Sequence, residues 1–415
     1  MIPYAKKWGD CHRMFLLADY LQQNNFNVTV VHSNLKYYGD FGQRFQFETF
    51  SFALKKRLFV SSFSVNDKKD QPLKKSPLIK LVTDATYWKD IIKYKFLRRI
   101  LLAIENWFFE DINPGDGWLG YFWIRHNRKK ILDIIAQNQV EKVIISCPPF
   151  SLASLVPYLK KRTAAQLFLD FRDPWLSQKD TRFYRKQKKV LEASDHVFLF
   201  SEKFRNSLSN HFNGLEYKSS ELLNAYSIQN WAGIDSKSNL SVNSSHALVI
   251  SYCGGYNLQN GPLNLQTVLN AIHTSSLKND VLLRLIGPIP HQQIAVWKEK
   301  MGESIDFIDT VSHQKSLEYM LESDVLLVSY LSNEDKAKYM LTTKFFDYIR
   351  AKRVIWGIGN ENMNFMEMIR EFNLGLCSSA DNQSITAGLK QLVQLKQNDR
   401  LEELRISIRK TAENS

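Results

Sequence analysis

Residues 342–357 read TTKFFDYIRAKRVIWG, a short amphipathic segment followed by an apolar run. The threonine pair at its start predicts a helix N-cap, since a hydroxyl can accept a hydrogen bond from a first-turn N–H. Phe345, Tyr348 and Ile349 fall on one face at helical spacing, and we expect them to pack inward. Residues 353–359 then read as a buried strand. The segment therefore predicts a helix–strand unit of an α/β domain.

The charges of this segment are arranged unusually. Lys344 and Asp347 are three residues apart and share a second face of the predicted helix. A cation in the first turn opposes the helix dipole at a cost of roughly a few tenths of a kcal/mol. The cost disappears if an anion binds there, because first-turn N–H groups and a lysine together form a phosphate site. The alternative is a local Lys344–Asp347 ion pair on a solvated surface.

The composition predicts a folded protein with anionic partners. A chain of 415 residues exceeds one ordinary core, so we expect two domains. Its 44% apolar and 13% aromatic content argues against disorder. Lys plus Arg exceed Asp plus Glu by 55 − 42 = 13 charges. This surplus favours nucleic acid, an anionic membrane leaflet or phosphorylated ligands without choosing among them.

Several functional classes lack their motifs. The four dispersed cysteines have no metal-ligand spacing, so we expect no metal site, and their dispersal suits a reducing cytosol. We find no apolar signal segment and no run long enough to span a membrane. The P-loop and G-x-S-x-G motifs are absent, which argues against a P-loop NTPase and an α/β hydrolase. Basic residues are spread along the chain, so nucleic acid is not an expected partner.

Strands alternate with helices in two parts of the chain, which predicts two parallel α/β domains. A Ser/Asn-rich segment of linker composition separates them, and we find no convincing sequence repeat between the halves. The expected organisation is an N-terminal domain over 1–226, a linker over 227–246, a C-terminal domain over 247–396 and a C-terminal helix over 397–415. The strand that should precede the first predicted helix is missing, so we expect that the chain begins late.

Residues 91–109 predict an amphipathic helix with basic residues opposite its apolar face. Such a helix can lie on an anionic membrane, although a helix covering the core of its own domain has the same pattern. A turn is expected at 113–118, a helix at about 124–138 and a strand at 140–146. A further helix is expected to open at Ser151.

Ligands of parallel sheets bind beyond the carboxyl ends of the strands, so polar residues and glycines at these ends are candidate site residues. Gly254 and Gly255 end a predicted strand and would let backbone N–H groups approach a phosphate, although a plain turn is equally consistent. Asp170, Arg172 and Asp173 gather at another strand end, where the alternative is an internal Arg–Asp pair that fixes the turn.

Two helix starts carry further candidates. His12 and Arg13 open the first predicted helix, where an anion could bind; a solvated helix start is the alternative. His313 is expected to cap a later helix, with no further role.

Three segments together resemble the GT-B glycosyltransferases of the family 4 type. The first, 113–175, contains the turn P-x-x-x-W, a strand ending S-C-P-P and the run D-F-R-D-P-W. The second, 250–255, is similar to the first strand and glycine turn of the donor domain. The third, 344–357, is similar to the K-x-x-E-Y helix and the strand after it. The resemblance implies two Rossmann-like domains that face each other across a cleft, with the nucleotide-sugar on the C-terminal domain and the acceptor on the N-terminal one.

The resemblance also implies a function. A glycosyltransferase of the hexosyltransferase type would pass a sugar from a nucleoside-diphosphate sugar to a saccharide or lipid-linked saccharide, in bacterial surface polysaccharide biosynthesis. The reaction would be retaining and metal-independent, with the nucleotide-sugar as substrate and no cofactor. We expect a cytoplasmic protein, peripheral on the inner face of the plasma membrane. The alternatives are a non-catalytic GT-B module that binds saccharide or a partner protein, and a GT-B sugar-nucleotide epimerase.

Site residues follow from the resemblance position by position. The implied donor-binding residues are Gly254, Gly255, Lys344 near the phosphates and Asp347 at the ribose. The expected acceptor-side residues are His12 and Arg13, from the first helix start, and Pro149, from a strand end of the domain that the resemblance assigns to the acceptor. The candidate catalytic residues are Asp173, Arg172 and Glu334. The sequence departs from the family in two places. Tyr339 replaces an acid eight residues before Asp347, where Glu334 or Asp335 could substitute, and uncharged residues at 257–260 replace a cationic pair.

Overall fold

The computed structural model describes residues 12–32, 46–49, 117–148, 150–232, 234, 248–256, 258, 264–288, 291–331, 335–398 and 400–404. The expected helix over 91–109 lies outside the described residues, as do Pro149 and Glu334. The chain forms two compact units, Met1–Leu222 and Leu223–Ser415.

The sheets of the first unit are parallel. One has four strands in chain order, β3–β4–β5–β6, and β1 pairs with β2 in a second sheet. The strands are β1 (Thr29–His32), β2 (Gln46–Thr49), β3 (Lys142–Cys147), β4 (Gln166–Phe171), β5 (His196–Leu199) and β6 (Ser219–Glu221). The helices are α1 (His12–Gln23), α2 (Gly117–Gln137), α3 (Leu155–Lys160), α4 (Arg182–Ala193) and α5 (Glu202–His211).

Two local predictions for this unit were wrong. Helix α2 begins at Gly117, earlier than expected, so the end of the predicted 113–118 turn is helical. The apolar positions Ile124, Ile131 and Ile135 of the helix are buried, as its amphipathic pattern predicts. The helix expected from Ser151 is instead a 3₁₀ turn, Phe150–Ser154, followed by the short helix α3.

A Ser-Asp pair joins α4 to β5 in this unit. Ser194 donates its hydroxyl to the Val190 carbonyl at 2.8 Å, closing the last helical turn. Asp195 accepts the Leu167 N–H on Oδ2 at 2.7 Å, and its own N–H donates to the Leu167 carbonyl at 2.9 Å. Lys160 pairs with the other carboxylate oxygen at 2.5 Å. The side chain therefore binds the start of the neighbouring strand β4.

The second unit is one six-stranded parallel sheet in the order β12–β11–β10–β7–β8–β9. Its strands are β7 (Leu248–Cys253), β8 (Val281–Ile286), β9 (Ile305–Ile308), β10 (Val325–Tyr330), β11 (Val354–Gly359) and β12 (Gly375–Ser378). Its helices are α6 (Ile228–Ala232), α7 (Gln266–Thr274), α8 (His291–Met301), α9 (His313–Leu321), α10 (Thr343–Arg350), α11 (Asn364–Glu371) and α12 (Asn382–Gln397). Counted within the unit, the strands follow the Rossmann order 6-5-4-1-2-3.

The strand order places a topological switch point between β7 and β10. From β7 the chain moves outward through β8 and β9, then returns to β10 on the other side. The strands β7 and β10 pair only at Val325–Ile250 and Leu326–Ser251, whereas β10 and β11 pair at six positions. The carboxyl ends of β7 and β10 are therefore not joined by ladder hydrogen bonds. Ligands of open parallel sheets bind in the crevice at such a switch point.

A second Ser-Asp pair, Ser323-Asp324, joins α9 to β10. Ser323 donates to the Tyr319 carbonyl at 2.6 Å. Asp324 accepts the Val249 N–H at 3.0 Å and returns its own N–H to the Val249 carbonyl at 2.9 Å. Lys396 of α12 pairs with the other oxygen at 2.8 Å, and the Asp324 side chain is 1% exposed. Helix α12 is thus tied to the centre of the sheet.

Candidate functional site

Two glycine turns lie against each other at the carboxyl edge of the second sheet. The Gly254 N–H donates to the Ile286 carbonyl at 2.8 Å, and the Gly287 N–H donates to the Ile308 carbonyl at 2.9 Å. Gly254 has φ +119° and Gly287 has φ +148°, backbone conformations that side chains other than glycine rarely adopt. A Cβ at Gly287 would lie 2.3 Å from the Gly254 carbonyl oxygen. Only glycine allows this close backbone approach.

Helix α10 packs onto the end of β7 through its apolar face. Phe345 and Tyr348 are fully buried as expected, whereas Ile349 is only half-buried. The Cys253 N–H donates to the Tyr348 hydroxyl at 2.9 Å, which fixes the helix against the strand end. Thr342 is the N-cap residue, but its hydroxyl makes no capping bond and is buried without a partner among the described residues. The first turn of α10 thus presents an unused hydroxyl beside its N–H groups.

Lys344 lies between this helix start and the glycine turn. Its Nζ is 3.7 Å from the centroid of the Tyr252 ring, a cation–π contact, and a Cβ at Gly254 would lie 3.3 Å from the same atom. The Tyr252 hydroxyl donates to the Gly255 carbonyl at 2.9 Å, which ties the Tyr252 ring to the glycine turn. Glycine at 254 leaves the space in which the lysine reaches the turn.

Burial lowers the pKa of Lys344 to about 7, an effect that the neighbouring Cys253 thiol partly opposes. Among the residues that the structure describes, no carboxylate lies within ion-pair distance of its Nζ. The alternative of a solvated Lys344–Asp347 pair is therefore wrong. Lys344 is half-buried and packs on an aromatic ring, where an added anion would stabilise its charge.

Asp347 lies within a small polar cluster on the inner side of α10. The residue is 8% exposed; the Trp231 indole N–H donates to its Oδ1 at 3.3 Å, and His313 Nε2 lies 3.3 Å from its Oδ2. The Asn230 amide nitrogen lies 3.3 Å from His313 Nδ1. The sequence did not single out Trp231 and gave His313 only a capping role, since the two residues are 116 and 34 positions away from Asp347. The cap of helix α9 is Ser312, not His313.

At the carboxyl edge of the first sheet, hydrogen bonds within the protein join the ends of β3 and β4. The Arg172 backbone N–H donates to the Cys147 carbonyl at 2.7 Å, and its guanidinium donates to the Pro148 carbonyl. The Cys147–Pro148 peptide bond is cis. Asp170 is fully buried in β4 and accepts the Ser146 hydroxyl at 2.7 Å. Arg172 thus joins the ends of β3 and β4, and Asp173 is half-buried in the turn that follows.

The other predicted site residues have less structural context. His12 and Arg13 are the first two residues of α1. Tyr339 is 3% exposed at the end of a 3₁₀ turn, Asp335–Tyr339.

Within the described ranges no group of three or more His, Cys, Asp and Glu side chains could hold a metal ion. No helix in the described part of the chain is long and apolar enough to cross a membrane.

Solved structures share this architecture. A glycosyltransferase from Rickettsia africae ESF-5 matches with a TM-score of 0.63 at 13% identity, over 100% of this chain and 92% of that one. Sucrose-phosphate synthase from Thermosynechococcus elongatus matches with a TM-score of 0.53 at 11% identity, over 70% and 73% of the two chains. HepE from Anabaena, solved in complex with UDP, matches with a TM-score of 0.51 at 10% identity, over 69% and 77%.

The chain has the GT-B glycosyltransferase fold. Each of its units contains a parallel α/β sheet, as the sequence predicted. No protein-family model matches the sequence, and no curated protein matches it significantly. At these identities the likeness shows the fold alone, so the chemistry must be argued from the residues at the strand ends.

Proposed function

We propose that this protein is a glycosyltransferase that binds a nucleoside-diphosphate sugar at the carboxyl edge of its second sheet. The observation that carries the proposal is Lys344, an ammonium packed on the Tyr252 ring with no carboxylate in ion-pair distance among the described residues. It lies at a helix N-terminus and beside a glycine turn, where backbone N–H groups and helix dipole favour a phosphate.

In this proposal the diphosphate lies between the Gly254–Gly255 turn and the start of α10. Lys344 and the Thr342 hydroxyl would donate to its oxygens, and the same groups would stabilise the charge that develops when the sugar leaves. Asp347 would accept hydrogen bonds from the ribose hydroxyls. HepE, of similar fold, was solved with UDP, so UDP is the first nucleotide to test here.

The finer assignments rest on the resemblance. They comprise family 4 chemistry, hexosyl transfer with retention, independence of metal ions and a saccharide or lipid-linked acceptor in surface polysaccharide biosynthesis. The acceptor would lie on the first unit, near the strand ends that carry Pro149, Arg172 and Asp173. The surplus of 13 positive charges suits work at an anionic membrane surface on the cytoplasmic side.

The proposal is tested by titrating UDP, GDP and ADP calorimetrically into wild type, Lys344→Ala and Lys315→Ala. Lys315 is a matched control, since its Nζ also lies over a tyrosine ring, 4.9 Å from the Tyr319 centroid, but pairs with Glu318 at 2.8 Å. We expect one nucleotide to bind, with affinity lowered at least about tenfold, or about 1.4 kcal/mol, by Lys344→Ala alone.

Wild type that is folded but binds no nucleotide would overturn the proposal. The non-catalytic GT-B module would then account better for Tyr339 and the uncharged residues 257–260. If a nucleotide binds, turnover of its sugar conjugate that disappears in Asp347→Ala separates an enzyme from a binding module. Release of a free epimer without acceptor would instead identify an epimerase.

A further inference from the structure

We infer that His313 is a positioning residue of the donor site, which holds the Asp347 carboxylate in the orientation that the ribose diol of the nucleotide requires. The inference rests on the proposed function. His313 begins α9 and Asp347 lies on α10, so two separate helices build this contact.

The hydrogen-bond chain fixes the direction of donation. The Asn230 side-chain nitrogen that faces His313 Nδ1 at 3.3 Å can only donate, so Nδ1 must accept. In a neutral ring the proton then lies on Nε2, which donates to Asp347 Oδ2 at 3.3 Å. Asn230 therefore selects the tautomer of His313 that can hold the carboxylate, because the hydrogen bond at one ring nitrogen sets which nitrogen carries the proton.

The other carboxylate oxygen is held independently. The Trp231 indole N–H donates to Oδ1 at 3.3 Å, and Trp231 is 1% exposed. The Arg350 guanidinium lies 5.3 Å from the centroid of the Trp231 ring, a further contact on the indole. One donor on each oxygen fixes the plane of the carboxylate, which would otherwise turn about its terminal torsion.

The cluster leaves the carboxylate able to bind a ligand. A carboxylate has about four lone-pair sites, and the contacts above use one on each oxygen. The Asp347 side chain is 11% exposed and that of His313 is 30% exposed. Two hydroxyl donors spaced like a ribose diol could therefore bind the two oxygens together. A site of this kind loses affinity when its group moves by about half an ångström, which is the reason that a positioning residue matters here.

The experiment measures three probes on one set of variants. UDP, uridine and inorganic pyrophosphate, or the matching set for the base that wild type selects, are titrated into wild type, His313→Ala, His313→Gln and Asp347→Ala. We expect His313→Ala to weaken UDP and uridine binding about tenfold and to leave pyrophosphate binding unchanged. Glutamine carries an amide N–H that can reach the carboxylate, so His313→Gln should recover most of the affinity.

A purely structural role would behave differently. Loosening of the domain would weaken all three probes together and would not be rescued by glutamine. The double variant His313→Ala/Asp347→Ala provides the decisive comparison, because a residue that acts through Asp347 has no further effect once Asp347 is gone. If the losses of binding affinity in the two single variants add up in the double variant, or if His313→Ala leaves uridine binding unchanged, the inference is overturned and the proposed function is not affected. Wild type that binds no nucleotide would overturn it together with the proposed function.

Discussion

In both units a Ser-Asp pair joins a helix to a parallel strand, with Asp195 before β5 and Asp324 before β10. Each aspartate exchanges hydrogen bonds with a residue of the adjacent strand, and each pairs with a lysine. The carboxyl ends of the same sheets are unlike. The first unit joins β3 to β4 through Arg172, whereas the second has two stacked glycine turns and a desolvated lysine.

This comparison separates two kinds of residue in one architecture. Asp195 and Asp324, which precede the strands β5 and β10, have partners inside their own units, as expected where a charge serves to fix the fold. The carboxyl edge of the second sheet carries Lys344, a cation for which the described residues offer an aromatic face but no anion. The difference indicates that an anionic ligand would supply the missing partner of Lys344 at this edge. Mutations can test the contrast between the two kinds of residue.

The largest effect is expected from Asp324→Asn. Its side chain is 1% exposed, and the substitution leaves Lys396 without its carboxylate beside the start of β7. Removing the charge weakens two hydrogen bonds to a carboxylate, from Val249 and from Lys396, each worth about 1.5–3 kcal/mol, and since Lys396 is 35% exposed we expect a total of about 3–4 kcal/mol. Chemical denaturation should show that the free energy of unfolding falls by this amount. Asp195→Asn is the matched control at the more exposed site, and we expect it to cost about 1 kcal/mol or less. Equal losses would mean that the two junctions are energetically alike.

The next largest effect is expected from Gly287→Ala. A Cβ would lie 2.3 Å from the Gly254 carbonyl oxygen, and φ +148° is strained for alanine. We expect a destabilisation of about 2–3 kcal/mol, from strain in an unfavourable backbone region plus a steric shift. Gly214→Ala in the first unit is the control, because φ there is +82° but a Cβ would meet nothing within 4 Å. It should cost only about 1 kcal/mol, and thermal unfolding of both variants measures the difference.

A third prediction concerns the pH dependence of nucleotide binding. Free Lys344 loses its proton near pH 7, and a bound diphosphate would hold that proton. Binding above pH 7 should therefore take up one proton, and affinity should fall as pH rises, by up to about tenfold per unit. Calorimetry in buffers of different ionisation enthalpy reports the uptake directly. Lys344→Arg, which stays charged, should bind without it, and uptake that persists in that variant would assign the proton elsewhere.

The smallest effect is expected at Asp195 in acid. Burial alone would raise the pKa of this carboxyl, but Lys160, the Leu167 N–H and Lys218 together lower it below 3.8. A lowered pKa gives stability that is present above the unfolded value and is lost as pH falls through the folded value. Below pH 3.8 wild type should therefore lose stability that Asp195→Asn has already lost. Acid titrations of the two proteins that stay parallel below that pH would contradict this assignment.

Periodicity predicted most of the second sheet from the sequence. The sequence predicts five of its strands, because each is a short apolar run between turn signals. The predicted ranges are 247–253, 281–287, 305–309, 324–330 and 353–359, and each agrees with the structure to within one residue at its ends. The sixth, β12, was missed because it has only four residues and begins with Gly375. In the first unit, the start of α2 and the 3₁₀ turn after β3 were missed, since local turn signals there do not determine the conformation.

The candidate site was predicted only in part. Lys344 could be found from the sequence because a cation in a first helical turn conflicts with the helix dipole. Its neighbour Tyr252 and the cluster around Asp347 could not, because Trp231 and His313 come from distant segments whose approach depends on the packing of α6 and α9. The two readings of Asp347 from the sequence were an ion pair with Lys344 and, by the resemblance, a contact with a ribose. The structure excludes the ion pair and places Trp231 and His313 beside the carboxylate, while the ribose contact stays a prediction.

The contact between Gly254 and Gly287 has a consequence for engineering this protein. A Cβ at Gly287 would lie only 2.3 Å from the Gly254 carbonyl oxygen, so the turns that follow β7 and β8 are packed directly against each other. A loop transplanted from another protein after β8 will displace the backbone after β7 unless it also carries a glycine. Efforts to alter the selectivity of this edge by loop exchange should therefore move both segments together, or randomise them in a single library.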